Sequence, residues 1–319
     1  MTQNQNNIID IAFVFNENVK DLFCTAIVSI LVHSHENDVL NFHIIDAGLS
    51  NKTMDDIKKL RRIKDFTIEY KKPKDDLFKN FADIGDKQFL WYRLNLPDMF
   101  PQVKRILYLD VDIFVIDSLS VLFNLDLGKH IVAFAPNGNL EKMLQNERLG
   151  LIPTHIYFNS GVMLLDCVRY RQNNIAKKAA TISMEMIDKL MWEDQDILNI
   201  IFENNYKLLP PKYNRWSGIT WDGFEATYDN YCTWLSHTNI QHDLIAEAIK
   251  NPTIIHCAGG GKPDAPTAPN FVKKLYKRYI KIYDITINAE KNFFTKLCYM
   301  FYRLFIKSIK NKKVKLIAK

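Results

Sequence analysis

The sequence predicts an α/β protein on a mostly parallel central sheet, with helices on both faces. Three observations carry that expectation. Short apolar runs of strand length recur through the first half, and helix-length stretches separate them. The fourth run ends in two aspartates, and in open α/β sheets ligands gather at the carboxyl ends of strands.

Taken in order, Ile8 to Phe15 is a buried first strand, followed by Asn16, Glu17 and Asn18. A helix spans about Asp21 to Ser34, and Asn41 to Ala47 is a second strand. Ser50 has the chemistry of an N-cap for a helix through Lys64. Phe66 to Tyr70 alternates as a third strand. A helix over Lys87 to Leu96 is expected to stop at Pro97, before the fourth strand Arg105 to Leu109. Later come strand-like runs at Ile131 to Ala135 and Tyr157 to Leu165, then helices at about Asn173 to Met191 and Asp194 to Asn205. Pro210 and Pro211 break the pattern, Thr253 to Cys257 is one more strand, and GGGKPDAPTAP is loop by composition.

The 319 residues, 47% apolar and 24% charged, have the composition of a soluble globular chain. The longest apolar stretch, Leu22 to Val32, falls short of the roughly 20 residues that span a bilayer. MTQNQNN has neither a basic region nor an apolar run, and the five cysteines are odd in number, scattered and free of C-x-x-C. A cytoplasmic protein with reduced thiols is the expectation. The +6 formal charge is local: nine of the 42 Lys and Arg lie in residues 291–319, which carry no acid.

In RILYLDVDIFV, Asp110 and Asp112 stand two residues apart at the end of an apolar strand. In an extended chain such residues point the same way, so both carboxylates reach one ion. Alone, D-x-D fits a solvated loop as well as a metal site. A phosphatase of the haloacid dehalogenase type would want Thr or Val where Phe114 stands, and a nucleotidyltransferase would want a glycine-rich basic loop where Asn16-Glu17-Asn18 stands. Downstream, IIHCAGGGKPD ends a strand at His256, then offers three glycines and Lys262. Exposed glycine N–H groups make an anion-binding concavity, to which lysine adds a point charge. Carboxylates with an imidazole suit Mn²⁺, with Mg²⁺ as the other candidate.

These blocks together resemble glycosyltransferase family 8, particularly bacterial lipopolysaccharide and lipooligosaccharide galactosyl- and glucosyltransferases. The likeness runs from about Ile8 to Pro263 through IDIAFVFNEN, FHIIDAG, WYRLNLP, RILYLDVDIFVIDSL, YFNSGVMLLD, EDQDILN and HCAGGGKP. It implies a GT-A-type fold in which Asp110, Asp112 and His256 are Mn²⁺ ligands gripping the diphosphate of a UDP-hexose. Lys262 and the backbone around Gly259 would contact phosphate; Val14, Asn16, Asn18 and Val111 would hold the nucleoside. Arg93, Asn159 and Asp194 would hold the donor hexose, with Gln195 beside the anomeric carbon and Asp194 and Gln195 as the catalytic pair. It also implies retention at that carbon and a saccharide or glycolipid acceptor. Seen singly, Arg93 reads as a surface pair, Asn159 as a turn residue and Asp194 as an N-cap. Three positions depart from the family pattern: Asn16 and Asn137 replace Asp, and Asp264 replaces Trp. A UDP-sugar binding module without turnover remains the alternative from another class, and a D-x-D phosphatase is the third reading.

Residues 1–265 are expected to form the catalytic domain and 266–319 a helical, basic, membrane-associating segment. From Lys291, the apolar Leu297, Met300, Phe301, Leu304 and Phe305 recur at helical spacing, with Lys296, Arg303, Lys307 and Lys310 on another side. That pattern fits a helix lying on an anionic inner membrane surface, or one docked on its own domain with a solvated basic face. Nucleic acid would leave the exposed aromatics unused, so none is expected as a partner.

Overall fold

The computed structural model describes residues 7–137, 142–218 and 224–289. In β1 (Asn7–Phe15), Ile9, Ile11, Phe13 and Phe15 enter one apolar core while Ala12 enters the other. A period of two between two buried layers is what a central strand requires. β1 pairs in parallel with β2 (Asp38–Asp46) and β4 (Arg105–Leu109), and β2 pairs in parallel with β3 (Phe66–Lys71). Beyond β4 lie β7 (Phe158–Asp166), antiparallel to its neighbours, then β6 (Val132–Pro136) and the two-residue β8 (Lys207–Leu208). The order is β3-β2-β1-β4-β7-β6-β8, and only β7 runs against the rest.

Helix α1 (Lys20–His33) is buried from Leu22 to Val32 between the sheet and the helix Asn270–Ile287, to which His33 Nε2 is joined through the Tyr279 hydroxyl at 3.1 Å. Val272, Leu275, Tyr279 and Ile282 of that helix share the core of β1 and β2. No helix among the described residues is long and apolar enough to cross a membrane. Residues 291–319, with the basic helix expected there, lie outside the described residues.

Ser50 caps α2 (Asn51–Lys59) as expected, its hydroxyl accepting from Thr53 N at 3.1 Å. The helix ends at Lys59 and tightens into a 3₁₀ turn, Leu60–Arg62, rather than reaching Lys64. Two other expectations are corrected. Gly85–Asn95 is 3₁₀, and Pro97 sits in the first turn of the helix Leu96–Met99 instead of stopping one. Proline is tolerated at either boundary, because a first-turn N–H has no intrahelical partner to lose. The helix expected from Asn173 to Met191 spans Ile175–Met186 and tightens into a 3₁₀ turn, Ile187–Lys189; Asn174 at φ +51° separates it from the preceding short helix Cys167–Gln172.

A second sheet sits beside the first, in the order β5 (Ile113–Val115), β10 (Ile254–His256), β9 (Arg215–Trp216). Asp110 and Asp112 therefore do not continue one extended strand. β4 stops at Leu109, and the Asp-Val-Asp segment carries the chain from the large sheet into the small one.

Candidate metal and donor site

Strand register, not local spacing, assembles the ligands. His256 ends β10 directly opposite Ile113, the residue after Asp112, and Cys257 N donates to Asp112 O at 2.8 Å. On the other side Asp110 N donates to Gly161 O at 2.9 Å, extending the β4–β7 ladder. One ligand atom from each of Asp110, Asp112 and His256 lies within 4.8 Å of the others. His256 Nε2 is 3.3 Å from Asp112 Oδ1 and 3.8 Å from Asp110 Oδ2.

The groups around these three leave the right atoms available. His256 is 2% exposed, and its Nδ1 is 2.8 Å from Asn214 Oδ1. Asn214 Nδ2 donates to Asn159 Oδ1 at 2.9 Å, which fixes the amide so that its oxygen accepts from the imidazole. The Nε2 lone pair is then the one aimed at the aspartates. Asp110 divides its oxygens: Oδ1 accepts from Tyr108 at 2.6 Å and Arg93 Nη1 at 3.0 Å, leaving Oδ2 on the His256 side. Gly161 makes the room, since a Cβ there would stand 2.3 Å from His256 Cε1 and 2.8 Å from Asp110 Oδ2. Two carboxylates, an oriented imidazole and a space kept by glycine fit a divalent cation. Without one, burial opposes a charged imidazole, but Asp112 outweighs it and raises the His256 pKa. Burial opposes the Asp112 carboxylate in turn, and His256 prevails and lowers it.

Asp194 and Gln195 open the helix Glu193–Ile201, and both are buried. Asp194 Oδ2 accepts from Ser160 Oγ at 3.1 Å and lies 3.4 Å from Arg93 Nε. Burial pushes Asp194 up to about 6 against the pull of Arg93. Gln195 Oε1 accepts from Asn159 Nδ2 at 2.9 Å and Ser160 N at 3.1 Å. The β6–β7 register jumps here, Phe134 facing Met163 but Ala135 facing Asn159, and this irregularity brings Asn159 and Ser160 toward the helix. Arg93, Asp110, Asn159, Asp194, Gln195 and His256 thus belong to one bonded cluster.

The nucleotide candidates line its border. Extending the pairing of Ala12 with Tyr108 by two residues sets Val14 level with Asp110. Asn16 Oδ1 accepts from Asn18 N at 3.0 Å and so caps a 3₁₀ turn, while Asn18 itself is exposed. Val111 is half-buried between the aspartates. Gly259 takes φ +72° at the start of the turn Gly259–Gly261, and the charge of exposed Lys262 helps hold Asp112 ionised. Sequence reasoning missed Tyr108, Ser160, Gly161 and Asn214. The first three lie inside or beside quoted motifs; Asn214 lies in none.

Residues 10–264 match Glycosyl transferase family 8. General stress protein A of Bacillus subtilis is 25% identical over 241 residues, covering 74% of this chain and 80% of that protein. Lipopolysaccharide 1,2-glucosyltransferase of Escherichia coli is 28% identical over 214 residues, 64% of this chain and 62% of that one. The solved galactosyltransferase LgtC, in complex with donor and acceptor sugar analogues, superposes with a TM-score of 0.73 at 22% identity, over 86% of this chain and 96% of its own. That likeness is one of fold, and it is GT-A-type. With the match running through both aspartates and His256, the chain belongs to glycosyl transferase family 8.

Proposed function

We propose that this glycosyltransferase is metal-dependent and retaining, moving galactose or glucose from a UDP-sugar to a saccharide acceptor such as lipopolysaccharide, lipooligosaccharide or a related surface glycan. The observation that carries the reading is the convergence of Asp110, Asp112 and His256 within 4.8 Å, beside a glycine turn leading to Lys262. The sugar chemistry named for the Escherichia coli relative and for LgtC supports the substrate class.

Mn²⁺, or Mg²⁺, held by these three groups would supply Lewis-acid stabilisation of the departing diphosphate. Lys262 adds a fixed positive charge for phosphate, and the second lone pair of Asn16 Oδ1 remains for a uracil N3–H. Arg93, Asn159 and Asp194 offer donors and an acceptor for hexose hydroxyls. Both lone pairs of Gln195 Oε1 are engaged by Asn159 and Ser160, which makes it a weak nucleophile. That favours front-face attack. The acceptor oxygen bonds to the anomeric carbon as the bond to diphosphate breaks, and its proton passes to the departing phosphate oxygen. UDP release from UDP-galactose or UDP-glucose with Mn²⁺ is the direct assay. Asp112→Ala should fall to background, and full activity in that variant, or in excess chelator, would rule the mechanism out.

The segment 266–319, through the basic stretch 291–319, is proposed to hold the enzyme peripherally at the cytoplasmic face of a membrane, where a glycolipid acceptor would lie. Removing residues 290–319 leaves the helix Asn270–Ile287 whole. It should abolish sedimentation with anionic vesicles while sparing UDP-sugar hydrolysis; unchanged sedimentation would refute the attachment.

A further inference from the structure

A file of buried polar side chains runs from His256 to a carboxylate that the proposed reaction does not use. His256 Nδ1 meets Asn214 Oδ1 at 2.8 Å, Asn214 Nδ2 meets Asn159 Oδ1 at 2.9 Å, and Asn159 Nδ2 meets Gln195 Oε1 at 2.9 Å. Gln195 Nε2 then meets the Tyr157 hydroxyl at 3.1 Å, and that hydroxyl meets Asp196 Oδ1 at 2.6 Å. Each link gives its proton in the same direction. An amide donates only through nitrogen and accepts only through oxygen, so the sense set at one end holds at every link.

Asp196 sets that sense. It is fully buried and accepts both Arg148 guanidinium nitrogens at 2.9 Å, Met191 N at 2.7 Å and Trp192 N at 2.9 Å. A carboxylate paired with a guanidinium and surrounded by donors has no proton to give. Tyr157 must therefore donate to it, and the phenol's lone pair faces Gln195 Nε2. The Gln195 amide is consequently gripped at both ends, its oxygen by Asn159 and Ser160 and its nitrogen by Tyr157.

We propose that Tyr157, oriented by the Asp196–Arg148 pair, is a positioning residue for transfer, pinning Nε2 of Gln195 so that its amide holds one orientation beside the donor sugar. The proposal rests on the reading that Gln195 faces the anomeric carbon. Without the phenol, a buried N–H loses its partner and the amide is held through its oxygen alone.

The test is a double-mutant cycle on the full chain with Tyr157→Phe and Gln195→Ala. Tyr157→Phe should lower kcat by about tenfold while the donor KM and the Mn²⁺ Kd stay within about twofold. In the Gln195→Ala background it should cost nothing further. Losses that multiply, or a wild-type kcat in Tyr157→Phe, would overturn the proposal. An unchanged kcat in Gln195→Ala alone would instead overturn the reading of Gln195 beneath it. A readout independent of turnover is solvent exchange of the Gln195 side-chain amide protons, followed by NMR in the metal-free chain. It should quicken by about tenfold or more in Tyr157→Phe, because buried paired protons exchange only on opening. Unaltered exchange would overturn the proposal as surely as unaltered kcat.

Discussion

Gly161→Ala is the sharpest perturbation the site offers, because it adds one methyl group and no charge. Gly161 is absent from the positive-φ positions, so alanine meets no backbone strain there and the effect is one of space. The new Cβ would stand 2.3 Å from His256 Cε1, 2.8 Å from Asp110 Oδ2 and 3.0 Å from Asn159 Oδ1. Ordinary contact begins near 3.4 Å, so the imidazole must retreat by about 1 Å. It has little freedom to do so. Its Nδ1 is tied to Asn214, and its backbone is paired to β5 on one side and β9 on the other. Metal–ligand distances tolerate about 0.2 Å. A displacement several times larger should weaken Mn²⁺ binding by about 100-fold, or about 2.7 kcal/mol. Calorimetric titration with Mn²⁺ measures this, with circular dichroism and thermal melting to show that the variant is folded. Gly261→Ala is the internal control: its Cβ would lie 3.3 Å from Ser217 Oγ, a clash of about 0.1 Å, and affinity should change by less than about threefold. A folded Gly161→Ala protein binding Mn²⁺ within about threefold of wild type would refute the steric argument.

Two further outcomes follow from the same network. Asn214→Ala removes the acceptor that orients His256 and should weaken the metal by about 10- to 100-fold, read in the same titration; unchanged affinity would mean the imidazole is oriented elsewhere. Asp194, held up to about 6 by burial against an ordinary 3.8, keeps in the native state a proton that the unfolded chain releases. Its contribution to stability therefore falls as pH rises from about 4 to about 6, by at most about 3 kcal/mol. Urea unfolding across that range should give a flatter pH profile for Asp194→Asn than for wild type, and equal slopes would discard the buried-acid account.

What the sequence revealed and what it hid divide along the range of the interactions. The apolar run of β1 and the Ser50 cap are local, set by neighbouring apolar side chains and a hydroxyl three residues from its partner, and both were legible. The D-x-D and His-Cys-Ala-Gly₃-Lys motifs were legible as chemistry too. Their geometry was not, because the aspartates leave the strand and cross between sheets, and because His256 is brought to them by a ladder with β5. β9 has two residues and exists only because β10 pairs with it, so no periodicity could disclose it. Asn214, the residue before β9, inherits that invisibility. Pro97 shows a different limit: the same residue marks the end of one helix or the beginning of the next, and only packing decides.

The seam between the sheets is what brings the groups of the site together. Two like charges two residues apart would repel if left alone, and each has instead been given its own partner. Asp110 spends one oxygen on Tyr108 and Arg93, and Asp112 faces a His256 whose proton affinity it raises. The Nε2 of that imidazole faces both aspartates, where the cation would bind. A cation held on that side would leave the Arg93 and Tyr108 bonds, made to the other oxygen of Asp110, in place. Strand pairing on both sides of the Asp-Val-Asp crossing builds the site. A site made this way is tight in its side chains and dependent on how two sheets dock. That is why a methyl group on β7, in neither the aspartate motif nor the histidine motif, is expected to undo it.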